Sequence, residues 1–429
     1  MATTSQKIVQ VAVESTYANP DAEGVPSTVG LTFGSLPGLQ FSEVNTPGEY
    51  DLVERNDSRD GPYAFPPELD TAYSNGSQLT NRRGTVTLRC HVEGIGTGAV
   101  IADWDDHPLH MLLASGLAKA TDTTSATDTV AAGVDADTFT ATSANGYRIG
   151  TMFSTLIAGK YNVSATTDIN GTTIYHSPEM DAALADEDIR STRTLYAARG
   201  AAMGTVEESV CIKIATSTTL TYCYGCRWQR VTMSIEGRTL QVEIELYSPY
   251  IVDDHGNAAA VSPSACPGGD RAKITDCPIY STEDAPDCVA AVAGLASARL
   301  DIDRTTLNIT LTNTLAIDAQ RNACGLGLSD LEITDTQAEA TFTLRNKVDA
   351  LTTAALAEQH RSFMFIFGPF TEGNGVAVYF PAAVFAMPPM VDIGGERVTM
   401  PVTIRAGRFA GDDATADAAG SSIRIGLGQ

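Results

Sequence analysis

The sequence predicts a mainly β protein with a few helices, arranged as a repeated strand–helix–strand unit with one helix per sheet unit. Three observations carry this. Segments with period-two alternation or Thr/Val/Ile enrichment recur along the chain, only three stretches have helical spacing, and the segments either side of a Pro/Gly/Asp-rich stretch rhyme.

The strand signals are Gly84–Val92, Val210–Ile214, Trp228–Ile235, Leu240–Leu246, Leu307–Leu311, Ala340–Leu344, Val376–Phe380 and Arg397–Ile404. In Leu240–Leu246 apolar and polar residues alternate, so one face is buried and the other is wet. Glu236-Gly237, Gly373-Asn374-Gly375 and Gly394-Gly395 supply the positive φ of tight hairpins. Asp106-His107-Pro108 opens the first predicted helix, which continues over Leu109–Ala120, with Asp106 as N-cap and Pro108 in the first turn. Asn346–Gln359 is the second, amphipathic through Val348, Leu351, Ala355 and Leu356, and Pro178–Ile189 is the third.

Val86–Glu93 and Phe342–Asp349 share a pattern and each leads into a helix, while Arg230–Met233 and Arg397–Met400 recur in a closing strand pair. The unequal spacing places an insertion at about 121–205 in the first copy. A repeated strand–helix–strand unit argues for an architectural part rather than one catalytic cleft. The expected order is an N-terminal arm (1–28), a first module (29–252) with a long loop at 45–84, a linker (253–298), a second module (299–410) and a tail (411–429). The small-residue, acidic stretch Gly411–Gln429 reads as mobile or partner-dependent, and Asp122–Thr142 as an exposed loop.

Composition excludes more than it identifies. The chain has 429 residues, with Lys+Arg 28 against Asp+Glu 52, a net charge of −24. Such a chain does not bind nucleic acid through a general electrostatic attraction, which needs clustered Lys and Arg. The opening residues lack the apolar core of a signal peptide, and the small-apolar run Val289–Ala298 is about half of the ~20 residues that span a bilayer, which predicts a protein without membrane insertion. Eight cysteines in a chain this long do not form a disulfide framework, and free thiols in a reducing compartment are expected. A disulfide or metal clip through Cys266, Cys277 and Cys288 is the alternative there.

Candidate chemistry was weighed against plainer readings. Asp103–His110 gathers acids and two histidines without a fixed zinc or calcium spacing, and N-capping with macrodipole pairing accounts for them. Cys223-Tyr224-Gly225-Cys226 lacks a second pair and reads as a turn between strands. Gly94–Gly98 misplaces its third glycine for phosphate binding, and Asp253–Asn257 reads as a solvated turn. No catalytic, cofactor or metal residues are assigned, and no enzyme is predicted.

The opening Gln6–Pro20 resembles the N-terminal arm of tail tube proteins of long-tailed bacteriophages, a short strand followed by Glu14-Ser15-Thr16, the aromatic Tyr17, Ala18 and Pro20. Tyr222–Leu246, with Tyr224-Gly225-Cys226 before two alternating strands, is similar to that family's entry into its closing hairpin. Leu300–Arg408 resembles a second such module. The resemblance implies two tandem tail-tube-like β-sandwich or half-barrel modules, each flanked by one α-helix, in a structural virion protein whose sheets join edge to edge into rings that stack into a tube for DNA ejection. It implies a trimer with pseudo-six-fold symmetry, or a hexamer of larger subunits, with tape measure and terminator or baseplate proteins at the tube ends. DNA would pass without specific binding, past a lumen whose acids repel phosphate. A salt-rich host is the rival explanation of the acidity, in keeping with only six lysines, Lys7, Lys119, Lys160, Lys213, Lys273 and Lys347.

The 45–84 loop is apolar for its length, and Tyr50, Tyr63, Phe65 and Tyr73 are predicted to bury against the next ring, or else within an Ω-loop on their own domain. The alternatives from other classes are a decoration or baseplate-hub protein, a surface adhesin or lattice module, and a hydrolase needing a cation at Asp103–His110.

Overall fold

The computed structural model describes residues 8–14, 16–18, 27–33, 39–45, 49–54, 77–92, 108–120, 127–129, 132–142, 147–157, 160–180, 182–184, 187–197, 208–215, 220–237, 239–254, 279–283, 297–300, 302–317, 331–345, 360–368, 375–386, 399–407 and 420–428. The protein is mainly β, with most strands in one extended sheet.

The chain enters with β1 (Ile8–Glu14), which turns Val9 and Val11 into the core. β2 (Leu39–Asn45) and β3 (Glu49–Glu54) both pair antiparallel with the long β4 (Ser77–Val92), so much of the expected 45–84 loop is strand. Along β4, Val86, Leu88, Cys90 and Val92 are buried while Thr85, Thr87, Arg89 and His91 are not, the two-residue period of a pleated strand. Helix α1 (Pro108–Ala114) is buried from Leu109 through Ala114 and ends well before the expected Ala120. Ser115 Oγ donates to the Leu112 carbonyl at 2.7 Å, Gly116 follows, and Ala118–Lys119 become strand β5.

The predicted insertion is a sheet of its own. β6 (Thr127–Thr129), β7 (Ala132–Asp135), β8 (Thr138–Thr140), β9 (Met152–Ile157), β10 (Lys160–Asn170), β11 (Thr173–Ser177) and β12 (Asp188–Ser191) pair in the order β6-β12-β9-β10-β11-β8-β7. Two expectations fail here. Asp122–Thr142 is not a bare loop, because β6, β7 and β8 lie in it and Phe139 is buried against Phe153, Ile174 and Ile189. No helix is described within Pro178–Ile189. The Met180 amide donates to the Ala136 carbonyl at 2.8 Å, and Met180 and Leu184, spaced as on a helix, instead pack onto this sheet. A small cluster of Met152, Val163 and Ala165 with Met364, Ile366, Ala377 and Tyr379 ties this sheet to the main one.

β13 (Arg193–Tyr196) returns to the main sheet and pairs with β5. β14 (Ser209–Ala215), β15 (Leu220–Glu236) and β16 (Thr239–Asp254) form a meander, with β1 on the far edge of β14. Gly237, at φ +62°, closes the β15–β16 hairpin, as its Glu-Gly pair predicted. The stretch read as a linker contains β17 (Ile279–Glu283) and the start of β18 (Ser297–Leu300), which pair with each other. The remaining strands are β19 (Ile302–Ile317), β20 (Leu331–Leu344), β21 (Arg361–Phe367), β22 (Val376–Ala386), β23 (Met400–Ala406) and β24 (Arg424–Leu427). β17 pairs with β21. β24 corrects the reading of Gly411–Gln429 as a mobile tail: it lies between β13 and β22 and buries Ile423, Ile425 and Leu427. Small residues in a sequence look mobile, but they also let a strand enter a crowded core, as Gly426 does beside Met152 and Thr192. The expected helix Asn346–Gln359 lies outside the described residues.

Two arrays of five strands share one order of antiparallel pairing, β2·β4·β16·β15·β14 and β19·β20·β23·β22·β21. They meet where Arg230–Ser234 of β15 pair with Asn308–Thr312 of β19. One hydrophobic core runs beneath both, from Val9 to Leu427, with Trp228 fully buried near the join.

Candidate functional surface

Six adjacent strands, β4, β16, β15, β19, β20 and β23, alternate in step. Around the join the inward row Cys90, Val242, Met233, Ile309, Ala340 and Ile404 belongs to one core, and the outward residues beside it are polar. The register lines these up in rows. One row reads Arg89, Glu243, Thr232, Thr310, Glu339, Arg405. The next reads His91, Gln241, Ser234, Asn308, Thr341, Thr403. Opposite charges sit on neighbouring strands and bond: Arg89 Nε donates to Glu243 at 2.8 Å, Arg230 pairs with Glu245, and Arg405 Nε donates to Glu339 at 2.8 Å. The first row is therefore charge-balanced.

Where the two arrays join, the polar contacts run inward. Trp228 Nε1 donates to the Leu113 carbonyl at 2.9 Å, satisfying the indole while α1 ends against it. Asn313 Nδ2 donates to the Gly116 carbonyl at 3.0 Å, and Thr336 Oγ1 donates to Asn313 Oδ1 at 2.6 Å.

At the β1 end the outward face is covered. Glu14 is only 2% exposed and accepts from Ser209 Oγ, from the Gly225 amide at 3.1 Å to both oxygens, and from the Ala18 amide at 3.2 Å. Gly225 sits at φ +63°, and a side chain there would meet the Tyr17 ring, so glycine both makes the bulge and admits Tyr17. The Arg227 guanidinium lies 5.7 Å from the Tyr17 ring centre. Phe33 packs on Tyr222, 6.0 Å between ring centres, over Lys213. Tyr222, Tyr224 and Tyr250 continue the aromatic line. Nothing in the local sequence separates Glu14 from any other outward residue of an alternating strand, and its partners Ser209 and Gly225 lie about half the chain away.

Of the residues singled out from the sequence, Tyr50 lies in β3 opposite Arg82, while Tyr63, Phe65 and Tyr73 lie outside the described residues. His110 is fully buried in α1, while 103–107 lie outside the described residues. Cys223 and Cys226 are not at a turn between strands: both are buried inside β15, and the Cys226 thiol donates to the Cys223 carbonyl at 3.3 Å. Burial pushes the Cys226 and Cys211 thiols well above the usual range, with neighbouring thiols and Glu14 adding to it. Asp253 and Asp254 are strand residues opposite Thr221 and Leu220, not a solvated turn. Gly94–Gly98 and Cys266, Cys277 and Cys288 lie outside the described residues. Among the described residues no group of three or more His, Cys, Asp or Glu is placed to hold a metal ion, and no helix is long and apolar enough to cross a membrane.

No protein-family model matches the chain, and no curated relative matches it.

Proposed function

We propose that this chain is a structural virion protein that polymerises into stacked rings forming the tail tube of a long-tailed bacteriophage, a conduit for DNA ejection, and not an enzyme. The observation that supports this reading best is the direction of the join between the two arrays. β15 is antiparallel to β19, and three further antiparallel steps lead through β20 and β23 to β22. β22 therefore runs the same way as β15, its counterpart. We read the arrays as two copies of one module placed head to tail. A head-to-tail joint repeated between chains builds a closed ring or an open helix, never a closed two-fold pair.

The copies match in detail. β14·β15 and β21·β22 carry the same irregularity, between Val210 and Ile212 in one and between Arg361 and Phe363 in the other. That sets Trp228 against Phe385, and through the paired strands Leu246 against Ile404 and Leu88 against Phe342. Carried forward, the counterpart of the joining segment Arg230–Ser234 is 387–391, which lies outside the described residues and includes Pro388 and Pro389. Proline has no N–H to give a ladder. A joint between chains made through that segment would then differ from the joint within the chain.

The polar face fits the wall of a conduit: neutral threonines and paired charges give DNA little to bind. Because its central row is balanced, the net charge of −24 has to come from other parts of the chain. The partners are further copies of the chain, with tape measure and terminator or baseplate proteins at the tube ends, and the location is the virion tail. The test is negative-stain electron microscopy of the purified protein, dilute and concentrated, in low and high salt. Stacked rings or hollow tubes with three-fold averages are expected. Six chains per ring, counted by native mass spectrometry, would overturn the trimer, and particles without a pore under every condition would overturn the conduit.

A further inference from the structure

We propose that the seven-stranded sheet of the insertion binds one buried water molecule, held between Thr166 Oγ1 of β10 and His176 Nε2 of β11. The inference goes beyond the tube reading and does not depend on it.

Thr166 and His176 stand directly opposite each other where β10 pairs with β11. The Thr166 amide donates to the Thr151 carbonyl at 2.9 Å, its carbonyl accepts from the Gly150 amide at 2.8 Å, and the His176 amide donates to the Asp137 carbonyl at 3.0 Å. Both backbones thus bond away from each other, and in such a pair the side chains approach most closely. Opposite residues share a face, so the hydroxyl and the imidazole project to the same side of the sheet. Thr166 is 0% exposed and His176 4%. Phe139 and Phe153 wall the imidazole, with ring centres 5.7 and 5.4 Å from it, and Tyr147 packs against both phenyl groups.

His176 Nδ1 lies 3.3 Å from the Pro178 carbonyl, which can only accept, so Nδ1 carries the proton. Burial holds the imidazole down to about 4 against the pull of the Pro178 carbonyl and Asp137. Near neutrality it is therefore uncharged, and Nε2 is a bare acceptor. Among the described residues neither Nε2 nor Thr166 Oγ1 has a hydrogen-bond partner, and both are buried. Leaving both unmade costs more than ordering one water molecule. A water between them donates to Nε2 and accepts from the Thr166 hydroxyl, and two polar partners suffice to hold it. It also closes a circuit. Ser164 Oγ, two residues before Thr166 on the same face of β10, donates to the same Pro178 carbonyl at 2.8 Å. Thr166, the water, His176, the Pro178 carbonyl and Ser164 then tie β10 and β11 to the segment whose Met180 packs on that face.

The test is an experimental structure of the whole chain at a resolution that shows ordered water, joined to native-state hydrogen exchange read by mass spectrometry. One density peak within about 2.6–3.2 Å of both Thr166 Oγ1 and His176 Nε2 is expected. A direct Thr166–His176 hydrogen bond, or no peak between the two, would overturn the proposal. Thr166→Val removes one partner, and His176→Phe removes the other together with the Pro178 bond. Exchange of peptides covering 160–177 should rise about tenfold in each, relative to β19 and β20 peptides. The double variant strands neither partner, so it should exchange no faster than His176→Phe alone. Single-variant factors that simply multiply in the double variant would equally overturn the shared water.

Discussion

The side-chain amide of Asn313 donates to the backbone carbonyl of Gly116 at 3.0 Å, across 197 residues of sequence, and so ties the end of α1 to the strand that begins the second array. Its Oδ1 receives Thr336, and its amide also reaches the Trp228 carbonyl at 3.4 Å. A single buried amide thus holds four elements in register.

Substitutions at this node should be among the most damaging in the chain. A Cβ on Gly116 would lie 2.3 Å from Trp228 Nε1 and 2.6 Å from Asn313 Nδ2, so Gly116→Ala should cost about 2–3 kcal/mol by overpacking. Asn313→Ala should cost about 1–3 kcal/mol, because it strands the Gly116 carbonyl and the Thr336 hydroxyl. Denaturant unfolding, read by Trp fluorescence, checks both.

Removing residues 420–429 should destabilise the fold severely. The deletion strips β24 from between β13 and β22 and loses the burial of Ile423, Ile425 and Leu427, about 5 kcal/mol or more at ~1.5–3 kcal/mol each. Circular dichroism and thermal unfolding of the truncated chain decide the matter; an unchanged melting temperature would restore the mobile tail.

The outward ion pairs should matter little to stability. Arg405 is 75% exposed at its side chain, so breaking its bond with Glu339 by Arg405→Ala is expected to cost about 1 kcal/mol or less. Trp228→Ala, on the inward side, should cost about 3–5 kcal/mol. A double-mutant cycle on Arg405 and Glu339 measures the first directly.

Stability should fall as pH rises from about 4.5 to about 7. Glu14 titrates at 4.5 unfolded and about 7 folded, so its favourable contribution is full below about 4.5 and is lost as pH climbs through about 7. At 1.36 kcal/mol per unit, the loss is about 3 kcal/mol at most. Comparing the unfolding midpoints of the native chain and Glu14→Gln across this range isolates it.

Four thiols should resist modification in the native state. Cys90, Cys211, Cys223 and Cys226 are buried and free, and burial pushes Cys90 up to about 12, so little thiolate exists to react. Peptide mapping after alkylation at mild alkaline pH should leave these four unlabelled until denaturant is added.

Several strands were legible in the sequence because alternation is local. Leu240–Leu246 buries and exposes its residues as its pattern predicts, and Glu236-Gly237 makes its turn. The rhyme of Val86–Glu93 with Phe342–Asp349 sets Val86 against Phe342, whereas the shared pairing order of the two five-strand arrays sets Leu88 there. A shift of two keeps every side chain on its own face, so hydrophobic pattern alone cannot detect it.

The sequence by itself determined that this chain is β-rich, acidic and poor in lysine, because composition and side-chain period are properties of neighbouring residues. Only the tertiary structure decided that the insertion is a sheet, that the C-terminal strand closes the core, and that Glu14 and Asn313 are buried at the centre of polar contacts. Those outcomes depend on which strands lie side by side. Backbone N–H and C=O groups are the same in every residue, so the ladder that joins Glu14's strand to Ser209's carries no code that a linear reading could find.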